Sequence, residues 1–310
     1  MNSLTIRNLS HVLGSKKKSC SSFMKKNPRW NMAEVKKKTG INYIYESDEN
    51  EDVLELSYKS SSKTLKKFDK KKIDSIVVVT QTAKNKLPSV SCVLQEKLKL
   101  NKNVFTLDIN LGCSGFIYAL ATLHSFFSSN ITRNTLLICS DTYTKFLENN
   151  DRTCRTIFSD SASSCIVSAR SSNITPVFNF FTDGSGANDL IEKNNYIKMN
   201  GSGVFLFTTK TVPNLFNNLL KKNNLKIKDI DHFIFHQASK LVLDRLKSEL
   251  KIPSNKFHIN YDKIGNTTSA SIPIVLEKLI KKKILKKNNN LMLAGFGVGL
   301  SAACCVLKWK

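Results

Sequence analysis

Residues 107–120 read LDINLGCSGFIYAL: an apolar strand meets a Gly-Cys-Ser-Gly turn and runs on as an apolar helix. A strand feeding a helix through a tight glycine turn is a building unit of α/β proteins. The turn sets Cys113 at the amino end of the helix. Unpaired N–H groups and the helix dipole favour an anion there, so the sequence predicts a stabilised thiolate. Gly112 and Gly115 flank the thiol without side-chain bulk. Small residues beside a buried cysteine also suit ordinary packing, but with the strand before it the segment reads as a nucleophile for acyl transfer.

The same alternation extends in both directions. Strand-like runs occupy residues 75–80 (SIVVVT), 103–109, 135–140 (TLLICS), 163–168 (SSCIVS), 232–236 (HFIFH), 291–295 (LMLAG) and 302–307 (AACCVL). Several are continuously apolar and β-branched, as expected of strands buried on both faces. Helical spacing lies between them. Residues 89–100 follow Pro88 and place Val90, Val93, Leu94 and Leu98 on one face. Residues 213–223 repeat Leu215, Phe216, Leu219 and Leu220 and end in lysines, which suit a helix carboxyl end. Residues 269–282 carry Ile272, Val275, Leu276, Leu279 and Ile280. The pattern predicts an α/β protein.

An internal echo refines it. KKIDSIVVVTQTA at 71–83 returns as IKDIDHFIFHQAS at 227–239: a charged lead, an Ile-Asp pair, an apolar strand and a Gln-polar-Ala turn. LLICSDTYTKF and LMLAGFGVGLS take comparable later places, each followed by a cysteine-containing strand. The chain therefore reads as two similar halves, 1–168 and 169–310. Halves packed face to face bring their strand ends, and any chemistry there, to a shared centre. The Asn/Ser-rich stretches 171–174 and 194–200 read as surface loops.

Length and composition bound the function. At 310 residues, 41% of them hydrophobic, the chain suits one large globular core or two fused domains. No apolar run approaches the roughly 20 residues that cross a bilayer, and the start lacks the apolar core of a secretory signal. The expectation is a cytoplasmic protein without membrane insertion. Eight cysteines lie mostly in apolar runs, with no CxxC pair and no Cys/His metal spacing, so neither disulfides nor a metal site is expected. The net charge of +24 comes from short lysine runs spread along the whole chain. Dispersed lysines without interleaved aromatics argue against nucleic acid and suit a solvated face or docking of an acidic protein.

Two further residues stand where strand or turn gives way to helix, as catalytic groups do in α/β folds. His236 ends FIFH, and Asn266 lies in KIGNTTSASIP. Alone, the first reads as a core histidine and the second as a plain turn. The ordered set Cys113, His236, Asn266 carries more. With LDINLGCSGFIYAL, FIFHQAS, IGNTTSASIP and AGFGVGL in family order, the chain resembles β-ketoacyl-acyl-carrier-protein synthase III, a thiolase-fold condensing enzyme, from residue 38 to the last strand.

That resemblance implies two α/β halves packed as a five-layered αβαβα core. It implies that Cys113 is acylated, that His236 and Asn266 support decarboxylation of a malonyl carrier, and that the backbone N–H groups of Cys113 and Val298 hold an oxyanion. It implies no cofactor and no metal, acyl-CoA or acyl-carrier protein as substrate, and a homodimer in which Leu87 lines the partner's acyl pocket. Arg152 matches the arginine of the family's CoA clamp. Glu34 stands where the clamp's tryptophan falls, with Trp30 one helical turn earlier, and Lys38 replaces the arginine before Thr39-Gly40. Lys240 and Arg245 are the candidates for carrier docking.

Related enzymes are separated by single residues. Elongating condensing enzymes place a second His where Asn266 stands, and hydroxymethylglutaryl-CoA synthases need a Glu upstream of the cysteine that residues 80–86 do not supply. Plant-type polyketide synthases share Cys, His and Asn but are longer. Acyltransferases that pass the acyl group to an amine or hydroxyl commonly alter the His or Asn, and both are intact here.

Overall fold

The computed structural model describes residues 2–172 and 174–310. Its two five-stranded sheets have one topology. The first runs Asn2–Leu13, Ser161–Ser171, Asn134–Asp141, Ser75–Val79, Phe105–Ile109. The second runs Val177–Thr182, Ser301–Lys308, Asn290–Gly297, His232–Phe235, Phe257–His258. In each, the last three strands are parallel and the first two join antiparallel. The echoed segments 71–83 and 227–239 supply corresponding strands of the two sheets.

Burial on both faces explains why these strands are apolar without a break. Val77 and Val79 point to one side of the first sheet, Ile76 and Val78 to the other, and all four are fully buried. The inner faces of both sheets close on two central helices, Gly115–Ser128 and Ser271–Lys281, through Phe116, Leu120, Ile272 and Leu276. The outer face of the first sheet is covered by Val53–Leu65 and Val90–Lys97, and that of the second by Gly201–Lys222 and Lys240–Glu249. The result is five layers, αβαβα. Burying one leucine of the middle layer contributes about 1.5–3 kcal/mol, so the sandwich of two helices between two sheets is the main source of stability.

Three sequence expectations need correction. The helix expected at 213–223 begins at Gly201, where the Asn200 side chain accepts the Gly203 N–H, and Pro213 lies inside it. Proline there removes the N–H that would reach the carbonyl four residues back and crowds that carbonyl. The loop expected at 194–200 is half of a hairpin: Tyr196–Met199 pairs with Leu190–Lys193. Asn194 and Asn195 form its two-residue turn with φ of 55° and 64°, and asparagine adopts that left-handed backbone readily. Of the loop expected at 171–174, Ser171 ends a strand and residue 173 lies outside the described residues.

Candidate active site

The two central helices begin side by side, and each carries a functional turn at its amino end. Cys113 precedes Gly115–Ser128; Asn266 precedes the short turn that opens Ser271–Lys281; His236 follows directly on the strand His232–Phe235. Cys113, His236 and Asn266 are 4%, 1% and 5% exposed and line one cavity of about 700 Å3. Close approach of backbone is built in. A Cβ on Gly297 would stand 3.0 Å from the Cys113 Sγ, and one on Gly295 would stand 2.6 Å from the Cys113 carbonyl oxygen. The strand Asn290–Gly297 therefore presses bare backbone against Cys113.

Each group has a defined partner set. The Asn266 Oδ1 accepts the Thr268 N–H at 2.9 Å, which leaves the Nδ2 to donate. Thr268 holds that position with φ of 49°, and its hydroxyl donates to the Asp141 carboxylate at 2.7 Å. The same carboxylate accepts the Gln81 N–H at 2.8 Å and the Thr82 hydroxyl at 3.0 Å. The His236 Nδ1 lies 2.8 Å from the Ser271 Oγ.

Burial dominates the electrostatics. It lowers His236 to about 3, against a hydrogen bond with the Thr268 backbone, so the imidazole is neutral at physiological pH. It lifts Asp141 to about 6 against the donors gathered on it. Burial, with the nearby Asp141, pushes the Cys113 thiol up to about 12, while the N–H groups of Cys113 and Val298 pull the other way. The thiolate expected from the helix end alone is thus outweighed by desolvation, and the resting group is a thiol. Both N–H groups lie close to the sulfur.

Two family models match, 3-oxoacyl-[acyl-carrier-protein] synthase III over residues 107–186 and its C-terminal counterpart over residues 220–309. The β-ketoacyl-[acyl-carrier-protein] synthase III of Clostridium perfringens is 34% identical over 305 residues, 92% of each chain. The chain belongs to the synthase III family. A crystal structure of a 3-oxoacyl-(acyl-carrier-protein) synthase III superimposes with a TM-score of 0.95 at 29% identity, covering 99% of this chain and 100% of that one. The 3-oxoacyl-(acyl-carrier protein) synthase of Burkholderia xenovorans does so with a TM-score of 0.95 at 26% identity, covering 100% and 95%. The thiolase fold read from the motifs is that of these synthases.

Around the synthase cavity the remaining expected residues divide. Lys38 and Arg152 line it. Lys38 pairs with Glu34 at 2.7 Å, and with Arg152 nearby holds that carboxyl below its usual range. Trp30 stacks on Phe23, 6.3 Å between ring centroids. Lys240 pairs with Asp244 on the surface, between the cavity-lining Ser239 and Leu241. Arg245 pairs with Glu249 outside the cavity lining. Leu87 is 81% exposed on a loop.

Sequence reading does not single out Asp141, Thr268, Ser271, Gln81 or Tyr143. Asp141 left a signal, a carboxylate directly after the apolar run TLLICS, in a strand that is otherwise uncharged. Among the described residues no group of three or more His, Cys, Asp or Glu side chains could hold a metal ion, and no helix is long and apolar enough to cross a membrane.

Proposed function

We propose that the protein is a decarboxylating condensing enzyme that joins an acyl group to malonyl-acyl-carrier protein and yields a 3-oxoacyl-carrier product. The observation that carries this reading is the meeting of Cys113, His236 and Asn266 in one cavity. The Cys113 sulfur attacks the acyl thioester; a new C–S bond forms, the donor's C–S bond breaks, and the thiol proton leaves with the departing thiol. Malonyl carrier then loses CO₂, and the electron pair of the broken C–C bond stays on the substrate as an enolate. The Asn266 Nδ2 and the His236 Nε2 donate to that enolate oxygen. The Ser271 hydroxyl, donating to the Nδ1, keeps the proton on the Nε2. The carbanion attacks the acyl carbonyl, whose oxygen is held by the N–H groups of Cys113 and Val298, and collapse expels the Cys113 thiolate, which takes a proton from water. Each such donor contributes about 10²–10³-fold in a dry site. Neutral donors suffice for this enolate, so acyl-CoA or acyl-carrier protein enters as substrate and the chemistry calls for no cofactor.

The finer organisation follows from the same reading. Residues 1–168 supply the nucleophile and 169–310 the decarboxylating pair. In support, the strands of the first sheet end by Ser171 and those of the second begin at Val177. A homodimer is supported by the open edge strand Phe105–Ile109, with Phe105 38% exposed, and by the exposed Leu87. Lys38 and Arg152 at the cavity, with Lys240 and Arg245 beyond it, form a basic approach for an acidic carrier. We place the enzyme in the cytoplasm.

The test is intact mass after incubation with acyl-CoAs and acyl-carrier proteins, followed by malonyl carrier. A thioester adduct that Cys113→Ala abolishes, and that malonyl carrier discharges with CO₂ release, is the expected result. Labelling that persists in Cys113→Ala would refute the nucleophile. An adduct discharged only by amines or alcohols would replace condensation with simple transfer.

A further inference from the structure

A second cavity, about 730 Å3, opens on the other side of the nucleophile's turn, lined in part by Gln81, Tyr143, Phe146, Leu190, Ile197 and Val298. It adjoins the cavity of Cys113 at three places. Leu190 lines both, and the Tyr143 ring, which lines one, packs 5.0 Å from the Phe158 ring, which lines the other. Val298 joins them as well: its N–H aims at the Cys113 sulfur while its side chain lines the second cavity. An acyl chain on Cys113 that runs past Leu190 and Val298 would enter this second cavity.

Its near end is polar and fixed. The Tyr143 hydroxyl donates to the Gln81 Oε1 at 2.8 Å, and the Gln81 N–H is held by Asp141. Both side chains stand against the turn itself, since a Cβ on Gly112 would lie 2.4 Å from the Gln81 Oε1 and 3.2 Å from the Tyr143 Oη. Among the described residues the Gln81 Nε2 meets no acceptor, and the Tyr143 oxygen, having donated, keeps lone pairs that accept. An alkyl chain arriving here leaves the amide donor unmatched. A hydroxyl satisfies both, accepting from the amide and donating to the phenol.

We propose that Gln81 and Tyr143 select the acyl group on Cys113, and that the group they select is a short hydroxyacyl chain. The proposal rests on the acyl-enzyme reading above. Sites built to hydrogen-bond a substrate hydroxyl discriminate strongly against the analogue lacking it, because their own polar groups are left unpaired.

Loading of the full-length enzyme is followed by intact mass with butyryl, 3-hydroxybutyryl and octanoyl donors, each as the CoA and the carrier-protein thioester. The expected result is 3-hydroxybutyryl loading about tenfold or more faster than butyryl, with octanoyl slowest. Gln81→Leu should reverse the order of the two four-carbon donors, a ratio within one sample that does not depend on the fraction folded. Equal rates in the parent enzyme, or an unchanged ratio in Gln81→Leu, would overturn the selection while leaving the synthase reading intact. No adduct from any donor would overturn both.

Discussion

Replacing Asn266 by alanine separates the two half-reactions. The side chain has two roles: its Oδ1 accepts the Thr268 N–H at 2.9 Å, and its Nδ2 is the donor left for the enolate. Losing the Nδ2 removes one of the two enolate donors, worth about 10²–10³ in rate or about 2.7–4 kcal/mol. Losing the Oδ1 leaves the buried Thr268 N–H unsatisfied, at a cost of about 1–3 kcal/mol in stability. Loading of Cys113 uses only the N–H groups of Cys113 and Val298, so acylation should stay within about threefold of the parent. The assay pre-acylates the enzyme, confirms stoichiometric loading by mass, and measures CO₂ released from malonyl carrier, with a urea midpoint to record the stability loss. A fall in loading that matches the fall in CO₂ release would refute the division of labour, as would CO₂ release within threefold of the parent.

Acid should destabilise the fold through its histidines. His236, lowered to about 3 from 6.5, stays neutral in the folded protein while the unfolded chain takes up a proton, so stability falls by about 1.4 kcal/mol per pH unit across that window from this group alone. Asp141, raised to about 6 from 3.8, binds its proton first in the folded state and offsets that loss between those values. His258, lowered to about 4, restores a net loss, and a urea midpoint that rises between pH 6.5 and 4 would contradict the assignment. In catalysis, the neutral His236 predicts a decarboxylation rate without an inflection near pH 6.5, and such an inflection would mean a protonated imidazole. Sedimentation should show a dimer, and Leu87→Asp should shift it toward monomer by placing charge on the exposed apolar loop; a parent enzyme that sediments as a monomer would end the dimer proposal.

The strands were legible because burial on both faces leaves a signature that needs no context: IVVV at 76–79 and LMLA at 291–294 have no polar position to confuse the period. The paired topology was legible from the echo, since equal strands in equal sheets require equal apolar runs. The helix Gly201–Lys222 was half hidden by Gly201, Gly203 and Pro213, which argue locally against a helix that packing of Val212, Phe216 and Leu219 then enforces. The strand Tyr196–Met199 is hidden by the polar residues around it, and only the left-handed backbone of the Asn194–Asn195 turn marks the hairpin. At the site, three turns could be picked out one by one, and the structure brings them into one cavity. The protonation of Cys113 could not be read, because it depends on desolvation and on Asp141, 28 positions away in sequence and adjacent only after folding. Gln81 and Tyr143 were invisible for the same reason.

The carboxylate of Asp141 draws hydroxyls and an amide from both halves of the molecule, Gln81 and Thr82 from one and Thr268 from the other. Neither half can therefore drift without the other registering it. Thr268 also donates its N–H to the Asn266 Oδ1, so the position of that amide in the second half is tied, through one residue, to the strand end of the first.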